Sequence, residues 1–320
     1  MENRNITILG PVNMDVLARP VDFSRMSAGS IPMEQIRVGF GGNALNEAVT
    51  LNRLGTRVQL VTRIGCDDAG EQLMHFLDRE KLATDAVRRD SRYATSVNIV
   101  LITPDGERFF LTDPGSCMRT MTPEDYLPFL DTAADLVCFP GMFVSPMTGI
   151  REMETLFRQV HEKPGRVLAA DMTRPKQGET LRDLAHVLPW IDYFFPNETE
   201  AALLTGKNDV YENARMLVDA GVRCVAIKRG AQGCLVRTAG ACMEIPAFPV
   251  SRVVDTTGAG DTFVAGFLHA LLCGYSLRDC ALFASAAASC AVECLGANDG
   301  IRSPEIPLER FRTLCAGQDA

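Results

Sequence analysis

Residues 253–274 read VVDTTGAGDTFVAGFLHALLCG: an extended apolar end at Val253-Val254, a turn of small residues from Thr256 to Gly260, and an amphipathic helix opened by Asp261. Gly258 and Gly260 can take backbone angles closed to other residues, and they let main-chain N–H groups approach a bound group closely. At a helix N-terminus those N–H groups are unsatisfied and lie at the positive end of the macrodipole, so the turn is an anion site. The turn has no Lys of the G-x-x-x-x-G-K-[ST] type, which excludes a P-loop, and it lacks the G-x-G-x-x-G spacing of a dinucleotide fold. Asp261 beside such a site has two readings. It caps the helix, or it is a general base whose neighbouring N–H groups stabilise a phosphoryl group in transfer.

Outward from this segment, short apolar runs alternate with helical patterns. The runs are ITILG near 6–10, RVQLVTRIG at 57–65, ADLVCF at 134–139, RVLAAD at 166–171, IDYFF at 191–195 and VRCVAIK at 222–228, with crossovers at 43–54, 68–80, 150–162 and 209–220. Runs apolar on both faces suit a mostly parallel sheet covered by helices, which predicts a three-layer α/β/α core. MDVLARPVDF (14–23) and IPMEQIRVGF (31–40) read instead as alternating strands, and SVNIVLI-TPDG-ERFFL (96–111) as a hairpin turning at Pro104-Asp105-Gly106. These predict a small antiparallel β-sheet, a lid with strands from about 12–40 and 92–112, inserted into a single domain spanning 1–320. Its outer face suits pairing with a second copy, which predicts a homodimer through the lid.

Composition narrows the function classes. Of the 320 residues 47% are hydrophobic and 22% charged, which is globular usage, and the formal charge is −8. That balance opposes broad electrostatic binding to nucleic acid or to an anionic membrane. Eleven cysteines include no C-x-x-C pair, and Cys290 and Cys294 fall at or beside an Ala-rich helical run where thiols pack as small apolar groups. An odd cysteine count, no apolar signal segment behind Met1-Glu2-Asn3-Arg4 and no apolar stretch near the ~20 residues of a membrane helix predict a reduced, cytoplasmic protein.

DTTGAGDTF at 255–263 resembles the C-terminal signature of the ribokinase-like, or PfkB, carbohydrate kinases, and GFGGNALNEAVTLNRLG at 39–55 resembles their N-terminal signature. The resemblance covers nearly the whole chain. It implies that Asp261 is the catalytic base and that Gly258, Ala259 and Gly260 form the anion hole over the γ-phosphate of ATP. Asn13 and Asp15, after the first strand, would hold sugar hydroxyls; Gly41 and Gly42 would let backbone approach the sugar, and Asn46 would bond its vicinal hydroxyls.

The same resemblance makes Asn197-Glu198-Thr199-Glu200 an N-x-x-E motif. There Glu200 is tied to the shell of magnesium (Mg2+), although Asn followed three residues later by Glu is also a helix capping box. Lys228, Gly230 and Gly233 would line the nucleotide phosphates and ribose, and Ser285 would stand near the adenine. Asp255 and Thr257, with backbone carbonyls at Ala291, Cys294 and Gly296, match a loop that binds potassium (K+) in many members; Gly300 stands where some members offer a hydroxyl.

Two segments bear on the substrate. FPGMFVSP at 139–146 has no carboxylate, whereas ribokinases proper place a Glu there. Asp171-Met172-Thr173-Arg174-Pro175 resembles the D-x-N-x-R-P segment of fructokinase-like and ketodeoxygluconate-kinase-like members, one residue shorter and without the Asn, so Arg174 suits a substrate carboxylate or phosphate, with Arg108 in the hairpin a second candidate. The resemblance therefore implies an ATP-dependent kinase phosphorylating a hydroxymethyl group of a small sugar or sugar acid. The alternatives are a nucleoside or pseudouridine kinase, for which Phe40, Phe109 and Phe110 are available as an aromatic clamp, and a non-catalytic nucleotide- or sugar-binding regulatory protein.

Overall fold

The structure, a computed structural model, describes residues 5–105 and 107–317; Met1–Arg4 and Gly106 of the expected hairpin turn lie outside the described residues. The first half of the chain forms β1 (Asn5–Leu9), β2 (Asn13–Arg19), β3 (Gln35–Gly41), α1 (Asn43–Arg53), β4 (Arg57–Ile64), α2 (Asp68–Arg79), β5 (Val87–Arg89), β6 (Val97–Ile102), β7 (Arg108–Thr112), α3 (Cys117–Thr120), β8 (Leu136–Met142) and α4 (Ile150–Val160). The second half forms β9 (Val167–Met172), β10 (Tyr193–Phe194), α5 (Glu198–Thr205), α6 (Val210–Asp219), β11 (Cys224–Lys228), β12 (Cys234–Thr238), β13 (Cys242–Ile245), α7 (Ala259–Leu272), α8 (Leu277–Val292) and α9 (Glu305–Ala316).

Each apolar run of the sequence enters one sheet, in the order β13-β12-β11-β10-β9-β8-β1-β4-β5. Seven strands, β5 through β11 in that order, run parallel, and β12 and β13 turn back antiparallel. The parallel strands are buried on both faces, as expected when helices cover them: β8 is buried at every residue. One face carries α1, α2, α7 and α8 over Ile6, Ile8, Leu60 and Cys138. The opposite face carries α4, α5 and α6 over Val61, Val137, Leu168 and Val225. This is the three-layer arrangement expected from the sequence. Phe267 of α7 is fully buried and meets Phe195 edge-on at 5.1 Å. Burying such a ring contributes about 1.5–3 kcal/mol, which fixes α7, and hence its N-terminus, against the sheet.

β1 sits between β4 and β8, so the chain leaves it toward one edge early and toward the other edge later. A strand order that reverses in this way leaves a crevice at the carboxyl ends of the strands, the usual place for a ligand. The second sheet stands over that crevice, in the order β3-β2-β6-β7. It is mixed rather than antiparallel: β2 and β6 pair parallel. Both strands are entered from the core sheet, so no tight turn joins them and nothing forces them to oppose. The β6–β7 hairpin closes where expected, with the Thr103 N–H on the Glu107 carbonyl at 2.9 Å.

Alternation along these strands separates two faces. Asp15, Arg37, Asn98 and Arg108 share the face toward the crevice, while Val16, Ile36, Val38, Ile99, Phe109 and Leu111 share the other, and of these Ile36, Val38, Ile99, Phe109 and Leu111 are exposed. Val253 and Val254, expected to end an extended run, join no ladder and are exposed. None of the eleven cysteines is joined in a disulfide.

Candidate active site

The turn before α7 takes the geometry its glycines permit. Gly258 is the helix N-cap with φ +73°, and a Cβ there would stand 2.6 Å from the Ala297 carbonyl oxygen. The first intrahelical bond runs from the Thr262 N–H to the Gly258 carbonyl at 2.8 Å, which leaves the N–H groups of Gly260 and Asp261 ahead of it for an anion. Asp261 is the third helical residue and so is not the cap. Its buried carboxylate accepts from Asn43 Nδ2 at 2.8 Å on Oδ1 and from Asn46 Nδ2 at 2.6 Å on Oδ2. The two asparagines are three apart on the first turn of α1 and therefore share a face. Gly42, the N-cap of α1, makes this approach possible: its φ is +94°, and a Cβ would lie 2.7 Å from the Pro11 carbonyl. Burial pushes the pKa of Asp261 up, opposed by the bonds from Asn46 and Asn43 and by Lys228.

Beneath Asp261 lies a buried charge cluster. Lys228 Nζ donates to Asp171 Oδ2 at 2.6 Å, and carboxylate oxygens of Glu47, Asp171 and Asp261 lie within 4.8 Å of one another. Burial works against the Lys228 ammonium, but Asp171, Glu200 and Asp261 outweigh it and hold it charged. Burial also raises Asp171, against the pull of Lys228. Glu47 is fully buried; its Oε2 takes the Cys138 thiol at 3.2 Å, and its Oε1 has no partner. Burial first, then Asp261 and Asp171, push its pKa far up. Three carboxylates share one ammonium, and an uncompensated charge away from water is costly, so the site favours the protonated form of Glu47. Lys228 also faces the anion turn: a Cβ on Gly260 would stand 3.5 Å from Nζ.

On the sugar side of the expected site, a cleft of about 310 Å³ opens between the small sheet and the turn before α7, lined among others by Asp15, Phe40, Arg108, Thr257 and Gly296. Asp15 accepts from Asn13 at 2.6 Å and Asn98 at 3.1 Å, and burial raises its pKa. A Cβ on Gly41 would stand 2.5 Å from Asp15 Oδ2, so backbone and carboxylate are brought together there. Phe40 and Phe110 line the cleft, while Phe109 lies on the opposite face against Phe23 at 4.9 Å. Arg174 is exposed and does not line the cleft.

On the expected nucleotide side, Asn197 and Glu200 form the reciprocal capping box of α5, with bonds of 2.9 and 2.8 Å. Gly230 and Gly233 bracket a short 3-10 turn after β11. Ser285 on α8 donates to the Pro246 carbonyl at 2.7 Å and accepts from the Phe248 N–H at 3.2 Å, which ties it to that segment.

In the loop likened to a potassium site, Asp255 Oδ1 accepts from the Thr257 N–H at 2.9 Å, from Thr257 Oγ1 at 2.7 Å and from the Arg108 guanidinium, and Oδ2 accepts from the Gly296 N–H at 3.0 Å. Arg108, expected at the substrate, is thus bonded to Asp255. Asn43 and Glu47 lie within the signature at 39–55 and Asp171 opens the segment ending in Arg174-Pro175, but none of the three was assigned a role, and Asn98 lies in no motif. Glu47 had a signal, since it interrupts the apolar face of α1 between Ala44 and Leu51.

A parallel sheet with its crevice at the strand order reversal, covered by a small second sheet and holding a buried carboxylate at a helix N-terminus, is the ribokinase-like α/β fold. The chain belongs to the family described as pfkB family carbohydrate kinase, whose pattern it matches over residues 3–304, and it is a kinase of that family. It is 28% identical over 316 residues to a ribokinase of Haemophilus influenzae, covering 96% of this chain and 98% of that protein. To a 2-dehydro-3-deoxygluconokinase of Dickeya dadantii it is 28% identical over 314 residues, 93% and 97% of the two chains. Its fold superposes on Arabidopsis thaliana ribokinase complexed with ribose and ATP with a TM-score of 0.80, at 25% identity and 97% and 99% coverage. No helix among the described residues is long and apolar enough to cross a membrane.

Proposed function

We propose that the protein transfers the γ-phosphate of ATP to a hydroxymethyl group of a small sugar or sugar acid, with Asp261 as general base. The observation that carries this reading is the Asp261 carboxylate, held by Asn43 and Asn46 beside the free N–H groups of α7 and the Lys228 ammonium. The base accepts the hydroxyl proton, the hydroxyl oxygen bonds to the γ-phosphorus, and ADP leaves with the electrons of the broken P–O bond. The amides of Gly260 and Asp261 and the Lys228 ammonium stabilise the charge that moves. Asn13, Asp15 and Asn46 hold the sugar hydroxyls. The small sheet serves as a lid on a single 1–320 kinase domain and excludes water as a competing acceptor.

Glu200 spends one oxygen on the Asn197 amide, and its remaining acceptor capacity fits a hard cation that keeps its waters. Magnesium held there would neutralise charge on the phosphates. The exposed apolar outer face of the small sheet supports a homodimer through the lid. The acidic balance supports a protein that binds neither nucleic acid nor an anionic membrane, and the odd number of cysteines supports a reduced, cytoplasmic setting. Phe40 and Phe110 in the cleft favour a second reading, a nucleoside or pseudouridine kinase.

Asp261→Asn should retain ATP affinity and lose about 10²-fold or more in transfer rate, within the range of general-base catalysis. Near-wild-type turnover would refute the assignment. Phosphotransfer measured on ribose, fructose, 2-dehydro-3-deoxygluconate, pseudouridine and nucleosides separates the sugar from the nucleoside reading.

A further inference from the structure

We propose that Arg108, on β7 of the small sheet, is a built-in cation for the anion turn and takes the place of the monovalent metal ion that the family resemblance implies at Asp255. The inference rests on the kinase reading above.

The Asp255 side chain is only 3% exposed. A carboxylate buried to that degree needs a counter-charge and bonds for its lone pairs. Both are present within the protein: the Arg108 guanidinium, the Thr257 N–H and hydroxyl, and the Gly296 N–H occupy its two oxygens. A guanidinium is always charged and only weakly hydrated, so it can be buried at such a carboxylate more readily than an ammonium.

The donor set for a large monovalent ion is also incomplete. Such ions are held by several oxygens replacing their water. The position where related chains offer a hydroxyl is Gly300, and a Cβ there would stand 2.4 Å from Ala291 Cα and 2.8 Å from the Ala291 nitrogen. No side-chain oxygen can enter from residue 300 unless the end of α8 moves.

The segment after α8 is ordered by protein groups instead. Arg37 of β3 pairs with Asp299 at 2.7 Å, Asn298 Nδ2 donates to the Phe40 carbonyl at 2.8 Å, and Arg53 of α1 donates to the carbonyls of Asn298 and Ile301, the latter at 2.9 Å. Asp255 and Thr257 lead directly into Gly258 and the anion turn. Arg108 is 147 residues away in sequence and arrives with the small sheet, so seating that sheet and ordering the turn are one event. Arg108 is a positioning residue: it acts on the phosphate site through Asp255 and Thr257.

The test compares ATP affinity by calorimetry, and turnover on the accepted substrate, in potassium chloride and in choline chloride at equal ionic strength. Wild-type values should be the same in both salts. Arg108→Ala should weaken ATP binding by about tenfold or more, the size of a lost charge-assisted hydrogen bond, and millimolar guanidinium or potassium ion should restore it in part. Arg108→Lys should retain most of the affinity. Potassium-stimulated ATP binding or turnover in the wild type would overturn the inference and needs no variant to be observed. An Arg108→Ala protein with wild-type ATP affinity would overturn it too, as would a loss that neither cation rescues. No ATP binding by the wild type in either salt would refute the kinase reading itself, and this inference with it.

Discussion

Replacing Glu47 by Gln should make the protein more resistant to rising pH, and the size of the effect follows from where the side chain sits. Glu47 is 0% exposed, one of its oxygens has no partner, and the charges nearest to it include two carboxylates. In the unfolded chain a Glu ionises near pH ~4.3, whereas in the folded protein burial, Asp261 and Asp171 keep Glu47 protonated far above that. Between the two values unfolding releases a proton. The stability contributed by neutral Glu47 is therefore complete below the unfolded value and is lost as pH rises toward the folded one, at about 1.4 kcal/mol per pH unit. Gln has the same shape and no charge, so it removes that slope.

Unfolding entropy of about 2.1 cal/mol/K per residue gives a 320-residue chain about 0.7 kcal/mol/K, and the variant should gain about 2 °C in Tm over the wild type with each pH unit. Thermal melts of both proteins by circular dichroism, in unit steps from acid to mildly alkaline pH, measure this. Groups common to both chains, among them Asp171, Asp261 and Cys138, cancel in the difference. A Tm difference that stays constant across the range would refute the reasoning, because Glu47 would then titrate alike in the folded and unfolded chains.

Asp261 must be ionised to accept a proton, and burial raises its pKa, so the acid limb of kcat/KM should lie above the ordinary carboxylate range. Asn43→Ala removes one donor to the charged form and should move that limb further toward neutral pH; a limb that stays in place or shifts to acid contradicts the geometry. Gly258→Ala should cost about 1–2 kcal/mol for the left-handed backbone alone, with the contact to the Ala297 carbonyl adding to it. Its Tm and ATP affinity should both fall, and wild-type values for both would show that the turn does not need its glycine.

The sheet was readable in the sequence because the middle of a strand covered on both faces has to be apolar, as VLAA at 167–170 and CVAI at 224–227 are, and the turn before α7 because only small residues allow it. These are local demands. The parallel pairing of β2 with β6 was not readable, since hydrophobic alternation is the same whichever way the neighbouring strand runs. The partners of the buried charges were hidden for a related reason. Lys228 meets Asp171 across 57 residues, Cys138 meets Glu47 across 91, and Asp261 meets Asn43 across 218. Motifs record what the backbone requires at one place, whereas compensation of buried charge is settled by packing between distant segments.

That difference changes the role of Lys228, which the family resemblance made a contact for nucleotide phosphates. The structure shows it bonded to Asp171 while it also faces Gly260. An ammonium with three donors can serve both. With Glu47, Asp171 and Asp261 all ionised, however, the cluster would carry two uncompensated negative charges under the turn where we place the γ-phosphate. A protonated Glu47 halves that excess and leaves Asp171 as the partner of Lys228 and Asp261 as the one carboxylate open to a hydroxyl. The unpartnered oxygen of Glu47, an apparent flaw in the core, belongs to the same balance: a neutral carboxyl tolerates it, and a charged one would not.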